Sequence, residues 1–244
     1  MSIVIIIGLA FLVSYLSYNV AHIIISEYAT YQEFLAYDLH KLDYLAIMLG
    51  STDSRFFPFV DTSSYIILIP TFTFYIVGIL IASWRFIRLD HSYHGFLLAR
   101  LATQKQFFSY LQQGVNKKII IYTLSYTIIS YALAQLLSPY PNKPLTIKMM
   151  LIILLFTISR MVLLAALAQV VFIIYIKKEA IIAQFSILFI ILMSLITGMN
   201  HAIINLVFYN PSYYFAPSFI SAIFIIISTR QIKKTMTYQM IEKG

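Results

Sequence analysis

A chain of 244 residues that is 61% hydrophobic and 11% charged, with a mean hydropathy of +0.85, carries far too little charge for a soluble domain and reads as an integral membrane protein. It has no cysteine, which excludes a disulfide framework, a thiolate metal site and a cysteine nucleophile. The formal charge of +8 does not by itself point to nucleic acid, because in a membrane chain Lys and Arg must first be apportioned between loops.

Six apolar stretches approach the roughly 20 residues that a helix needs to cross hydrocarbon. They are 3–25, 64–84, 119–138, 149–176, 180–200 and 215–230, the last being the shortest. No basic n-region and no small-x-small cleavage site precedes His22, so the first is expected to be a retained span. With no internal repeat and no polar run long enough for a soluble domain, residues 1–244 are expected to form one all-α, polytopic membrane domain.

Along the first span, Tyr15, Tyr18, Asn19 and His22 recur at helical spacing and share one face. Such a face either lines a path through the membrane or glues neighbouring helices by hydrogen bonds. The segment that follows holds six of the nine acidic residues: Glu27, Glu33, Asp38, Asp43, Asp53 and Asp61. If the N-terminus is cytoplasmic, twelve of the 17 Lys and Arg fall in inside segments and four outside, while Arg160 lies within the fourth span. That asymmetry places both termini inside and accounts for much of the positive charge without nucleic acid.

Residues 85–118, between the second and third spans, form the longest inside segment. It opens beside Trp84, Arg85 and Arg88, residue types that anchor a helix end at the membrane interface. From 95 to 113 no Pro or Gly follows Gly95, and Leu97, Leu101, Phe108 and Leu111 share a helical face with Val115. Gly114 and Asn116 offer a break before the third span. An amphipathic helix on the inner membrane surface is expected, facing either lipid phosphates or a docked protein. His91 and His94 make only an H-x-x-H pair with Asp90 nearby, too few ligands to point to a metal.

Arg160 falls near the middle of the fourth span, where a guanidinium costs about 2.5–3.5 kcal/mol on insertion scales. No acid lies within any expected span, so helix-end carbonyls, Gln135, Gln169, Asn200, Asn205, water or a substrate group must answer it. Arg160, Asn19, His22 and Gln169 are the intramembrane polar candidates, either for a translocation path or for interhelical packing. Residues 200–215, with Pro211 and Tyr209, Tyr213 and Tyr214, read as an outer aromatic belt. No G-x-S-x-G, paired carboxylates or metal-ligand set lies within the spans, so no catalytic residue is assigned.

Six spans with both ends inside, one long inside connection between the second and third, and the R-L-A-T-x-K-x-F-F pattern from Arg100 to Phe108 together resemble the membrane permease subunits of type 2 ATP-binding-cassette exporters. The closest resemblance is to the small permeases of bacteriocin, lantibiotic and other peptide export or immunity systems. The motif covers about ten residues, while the topology covers the whole chain. The resemblance implies that the insert is a coupling helix, with Arg100, Thr103, Lys105, Phe107, Phe108 and Leu111 contacting a separate ATP-binding subunit. It also implies a second membrane subunit, identical or different, a peptide or hydrophobic substrate, a bacterial plasma-membrane location, and outer re-entrant helices in 200–215. None of the seven glycines opens the GxxxxGK-Ser/Thr pattern that cradles a nucleotide phosphate, so ATP and Mg are expected on the partner and no cofactor on this chain. The competing reading is a stand-alone membrane-integral immunity or sensor protein without a pump.

Overall fold

The computed structural model describes residues 1–30, 38–50, 66–87, 106, 110, 113–142, 144–177, 182, 185–193, 220 and 222–231. Among these the regular structure is helical, with no strand. The helices are α1 (Ile3–Thr30), α2 (Lys41–Met48), α3 (Leu68–Ile87), α4 (Val115–Leu137) and α5 (Ile147–Lys177), with helical segments at 185–193 and Ala222–Gln231.

Among the described residues, three helices are long and apolar enough to cross a membrane: Ile3–Ala29, Val115–Leu137 and Ile147–Tyr175. They correspond to the expected first, third and fourth spans. The apolar part of α3, Leu68–Trp84, is shorter, and Ala222–Gln231 shorter still. α1 continues to Thr30, past the expected apolar limit at 25, because Glu27 and its neighbours extend the helix beyond the greasy stretch. The large apolar side chains that face away from the bundle are those expected to meet lipid, among them Val4 and Leu12 on α1 and Ile147, Leu151 and Leu154 on α5.

α3 and α4 form the middle of the bundle, with α1 packed on one side of the pair and α5 on the other. Hydroxyls tie these helices together. Ser14 Oγ donates to the Tyr126 carbonyl at 3.3 Å and accepts from Ser130 Oγ at 3.2 Å, joining α1 to α4. Tyr122 Oη donates to the Phe74 carbonyl at 3.0 Å, joining α4 to α3. Thr127 and Thr157 meet at 3.4 Å between α4 and α5. Without a hydrophobic drive between spans in lipid, such bonds and close backbone approach provide much of the cohesion. Gly78 supplies the close approach: a Cβ there would lie 2.6 Å from Leu164 Cδ2 and 3.1 Å from Tyr122 Cε1.

The element the sequence did not announce is α2. Its acidic surroundings suggest a solvated outer segment, yet Asp43, Tyr44, Leu45, Ile47 and Met48 are buried. α2 packs on α1, α4 and α3. At its start, Lys41 Nζ donates to the Gln135 carbonyl at 2.6 Å, in the last turn of α4, where a cation answers the unpaired carbonyls and the negative helix end. Asp43 accepts the His40 backbone N–H at 2.8 Å and closes the first turn. At its other end, the Met48 carbonyl accepts the Tyr126 hydroxyl. Gln135 to Tyr126 is about 13.5 Å along the α4 axis, and Lys41 to Met48 is about 10.5 Å along α2. α2 is therefore a wedge that runs from the end of α4 toward the middle of the bundle.

Gly114, at φ +78°, begins α4 and supplies the break expected before that span. Gln106 and Tyr110 of the preceding insert are helical and exposed, whereas Arg100, Thr103, Lys105, Phe107, Phe108 and Leu111 lie outside the described residues.

Gly78→Val should overpack the α3–α5 contact and destabilise the protein by about 1–3 kcal/mol. Gly8→Val, where an added Cβ meets nothing within 4 Å, should stay within about 0.5 kcal/mol of the parent. Unfolding midpoints in non-ionic detergent compare the two directly.

Candidate functional site: a caged guanidinium

Arg160 is the fourteenth of the 31 residues of α5, and its side chain turns into the bundle, leaving 2% of its surface exposed. Four aromatic rings surround the guanidinium. Its Cζ lies 4.5 Å from the Phe74 centroid, 4.9 Å from Phe156, 5.7 Å from Tyr75 and 5.9 Å from Tyr126. Helical spacing explains the assembly. Phe156 precedes Arg160 by four residues on the same face of α5, and Thr71, Phe74 and Tyr75 occupy positions i, i+3 and i+4 of one face of α3. Tyr126 arrives from α4, its orientation fixed by the Met48 carbonyl and by Ser17 Oγ at 3.2 Å.

The fifth side of the cage is the end of α2. Gly50, at φ +76°, carries the chain past the guanidinium, and a Cβ there would run into Thr71 Oγ1 and sit 3.3 Å from Arg160 NH2. The C-terminal carbonyl end of α2 thus faces a cation, a favourable arrangement worth roughly 0.3–1 kcal/mol and up to about 2 kcal/mol where partly buried. A desolvated cation over an aromatic face adds about 2 kcal/mol or more. Both offset part of the insertion cost of a guanidinium at this depth.

Hydrogen bonding is far less complete. NH2 donates to Thr71 Oγ1 at 3.5 Å, a long bond. Among the described residues, Nε and NH1 are buried without a hydrogen-bond partner, and the Tyr75 hydroxyl, although close enough to interact with the guanidinium, makes no bond of good geometry. Each buried donor left unmade costs about 1–3 kcal/mol, more for a charged group. The cage therefore accommodates the charge while leaving its donors unused, and the chemistry on offer is recognition of an acceptor.

The other intramembrane candidates do not join Arg160. Gln169 lies nine residues further along α5, about 13.5 Å away along the axis, and is half-buried. Asn19 is exposed on α1, and Tyr15 turns outward to stack on Phe11 at 6.4 Å. His22, though exposed, bonds through Nδ1 to the Tyr44 hydroxyl at 3.1 Å. It belongs to an aromatic stack with Tyr18 and Tyr44 that continues to Tyr140 and fastens α2 in place. The expected polar face of α1 is therefore divided: Tyr18 and His22 hold α2, while Tyr15 and Asn19 point away. Of the partners expected for Arg160, Gln135 spends its backbone carbonyl on Lys41, and Asn200 and Asn205 lie outside the described residues. No group of three or more His, Asp or Glu able to hold a metal occurs among the described residues.

Sequence reasoning found Arg160 and missed its surroundings. Phe74, Tyr75, Phe156 and Tyr126 look like ordinary span aromatics, and only the α3 face shared by Thr71, Phe74 and Tyr75 hinted at a common target. Set against protein families, curated proteins and solved structures, the chain matches none.

Gly50→Ala and Gly114→Ala separate backbone strain from crowding of the cage. Both positions have positive φ, which costs a β-carbon residue about 1–2 kcal/mol, but only Gly50 has a neighbour within reach. Gly50→Ala should lower the detergent unfolding midpoint clearly more than Gly114→Ala. Equal losses would show that the α2 end does not press on Arg160.

Proposed function

We propose that this chain is the membrane-spanning permease subunit of an ATP-binding-cassette exporter, carrying a peptide or hydrophobic substrate and driven by a separate ATPase subunit. The observation that carries the proposal is the 85–118 insert, the longest connection on the Lys- and Arg-rich side of a helical chain that has no nucleotide-cradling motif. Supporting it, α3 and α4 stand on either side of this insert and pack on each other, so a push on the insert reaches both middle helices of the bundle at once. In this reading Arg100, Thr103, Lys105, Phe107, Phe108 and Leu111 meet the ATPase, and nucleotide-driven closure shifts the bundle between inward and outward states. The protein works in a cell membrane alongside a second membrane subunit.

The buried, incompletely bonded Arg160 also suits a protein that binds a ligand without pumping it, as an immunity or sensor protein does. Affinity purification from native membranes in mild detergent decides between the two. The exporter reading expects a co-eluting subunit with the GxxxxGK-Ser/Thr motif, and Phe107→Ala with Phe108→Ala should cut its recovery at least tenfold. Recovery of the chain without any ATPase favours the sensor.

Sidedness is open to a cleaner test, because the chain has no cysteine. Gln112→Cys should react with an impermeant maleimide in inverted vesicles only. Labelling in intact cells would overturn the docking role.

A further inference from the structure

α2 packs on α1, α3 and α4 but stands off from α5, and the gap between them is an apolar groove of about 130 Å³. Leu42, Leu45 and Leu49 of α2 line one wall, and Met149, Ile153 and Phe156 of α5 line the other. Leu42 and Met149 lie in the first turns of their helices, so the groove starts at the end of the bundle where α4 passes into α5. It runs inward for about 10 Å along α5, from Met149 to Phe156. Both of its innermost residues adjoin the caged cation: Phe156 holds its ring 4.9 Å from Arg160 Cζ, and Leu49 precedes Gly50, which passes NH2. The apolar slot thus ends at the Phe156 ring, which also packs against a buried guanidinium whose Nε and NH1 have no acceptor among the described residues.

We infer that the α2–α5 groove and Arg160 form one binding site for a carboxylate carried on an unbranched apolar chain. The chain occupies the groove and the carboxylate takes Nε and NH1 of Arg160. Complementarity of shape and charge selects this class. A neutral alkane would fill the slot but leave two buried cationic donors unmade, and a small inorganic anion would answer the donors but leave the slot empty. A planar carboxylate matches the guanidinium fork with two parallel bonds. The Phe156 ring closes the inner end of the groove and turns aside as the carboxylate passes, a change of side-chain rotamer. The bound pair removes the cost of an unpaired buried charge, so ligand and protein stabilise each other. This inference does not rest on the transport reading, since a sensor and a permease would hold the ligand in the same way.

The test uses the full chain purified in a maltoside detergent. Decanoate should raise the unfolding midpoint in a saturable way, while decanol, with the chain but no charge, and acetate, with the charge but no chain, should each act at least tenfold more weakly. Acetyl-trileucine with a free C-terminus is the second arm. A response to decanoate but not to the peptide acid supports a site for an unbranched chain, and an equal response to the peptide acid would overturn that selectivity. Arg160→Gln should abolish the preference of decanoate over decanol. Because that variant also removes the centre of the cage, Ala46→Phe provides a second handle: Ala46 lines the groove, and filling it should weaken decanoate at least tenfold. Decanoate bearing a terminal diazirine should label the unmodified protein within 41–50 or 147–160. Equal effects of decanoate and decanol, or labelling spread over the outward face of α1, would overturn the inference. Co-purification of an ATPase is indifferent to all of these results, so the two readings fail separately.

Discussion

A guanidinium held 2% exposed in the middle of an apolar bundle sets the terms for every element around it. A cation in apolar surroundings has no solvent to answer it. It must therefore be met by polarisable faces and by the negative end of a helix. α3 contributes two rings and a hydroxyl from a single face, α5 contributes Phe156 from the turn before, and α4 contributes Tyr126. α2 contributes its carbonyl end, which needs the left-handed Gly50 to bring the backbone that close. The four helices that converge on Arg160 are thereby fixed in depth relative to one another.

α2 is the part of the fold that converts this local requirement into a site. It is pinned at one end by Lys41 on the last turn of α4 and by the His22–Tyr44 contact with α1, and at the other by Tyr126. All of these attachments lie on α1 and α4, the side away from α5. The wall facing α5 has only Leu42, Leu45, Ala46 and Leu49 to fill it and remains a groove. Strong polar tethers on one side and an unfilled apolar seam on the other are what allow a chain-like ligand to enter without unpicking the bundle. The Tyr126 tether links α2 to α4, one of the two helices that border the insert, and α2 packs on the other, α3.

How much of this was legible beforehand varies by element. α1, α4 and α5 follow from apolar length, because a helix of that hydropathy has no stable place except the bilayer. Gly114 as the start of α4 follows from local chemistry, since glycine alone takes positive φ without strain. Arg160 stands out because a charge at that position is costly whatever surrounds it. α2 was not legible: KLDYLAIM is too short to span, sits among acids, and resembles a loop with a few apolar residues. Its burial depends on partners up to 94 residues away, such as the Gln135 carbonyl that receives Lys41. Asn19, His22 and Gln169 do not gather around Arg160 for the same reason, as residues sharing polarity and approximate depth need not share a face once helices rotate to pack.

The sequence alone determined that the chain is apolar enough to be embedded in a membrane, where its long helices lie along the chain, and that one cation falls among them. Each of these follows from transfer free energies and helical rise, which act residue by residue. Only the tertiary structure decided that the outer segment folds back as α2, that four rings and a helix end enclose Arg160 while two of its nitrogens go unbonded, and that an apolar groove leads to them. Those depend on which helix faces meet, and that is settled by close packing at Gly78 and by hydroxyl bonds between distant segments, contacts that no local pattern encodes.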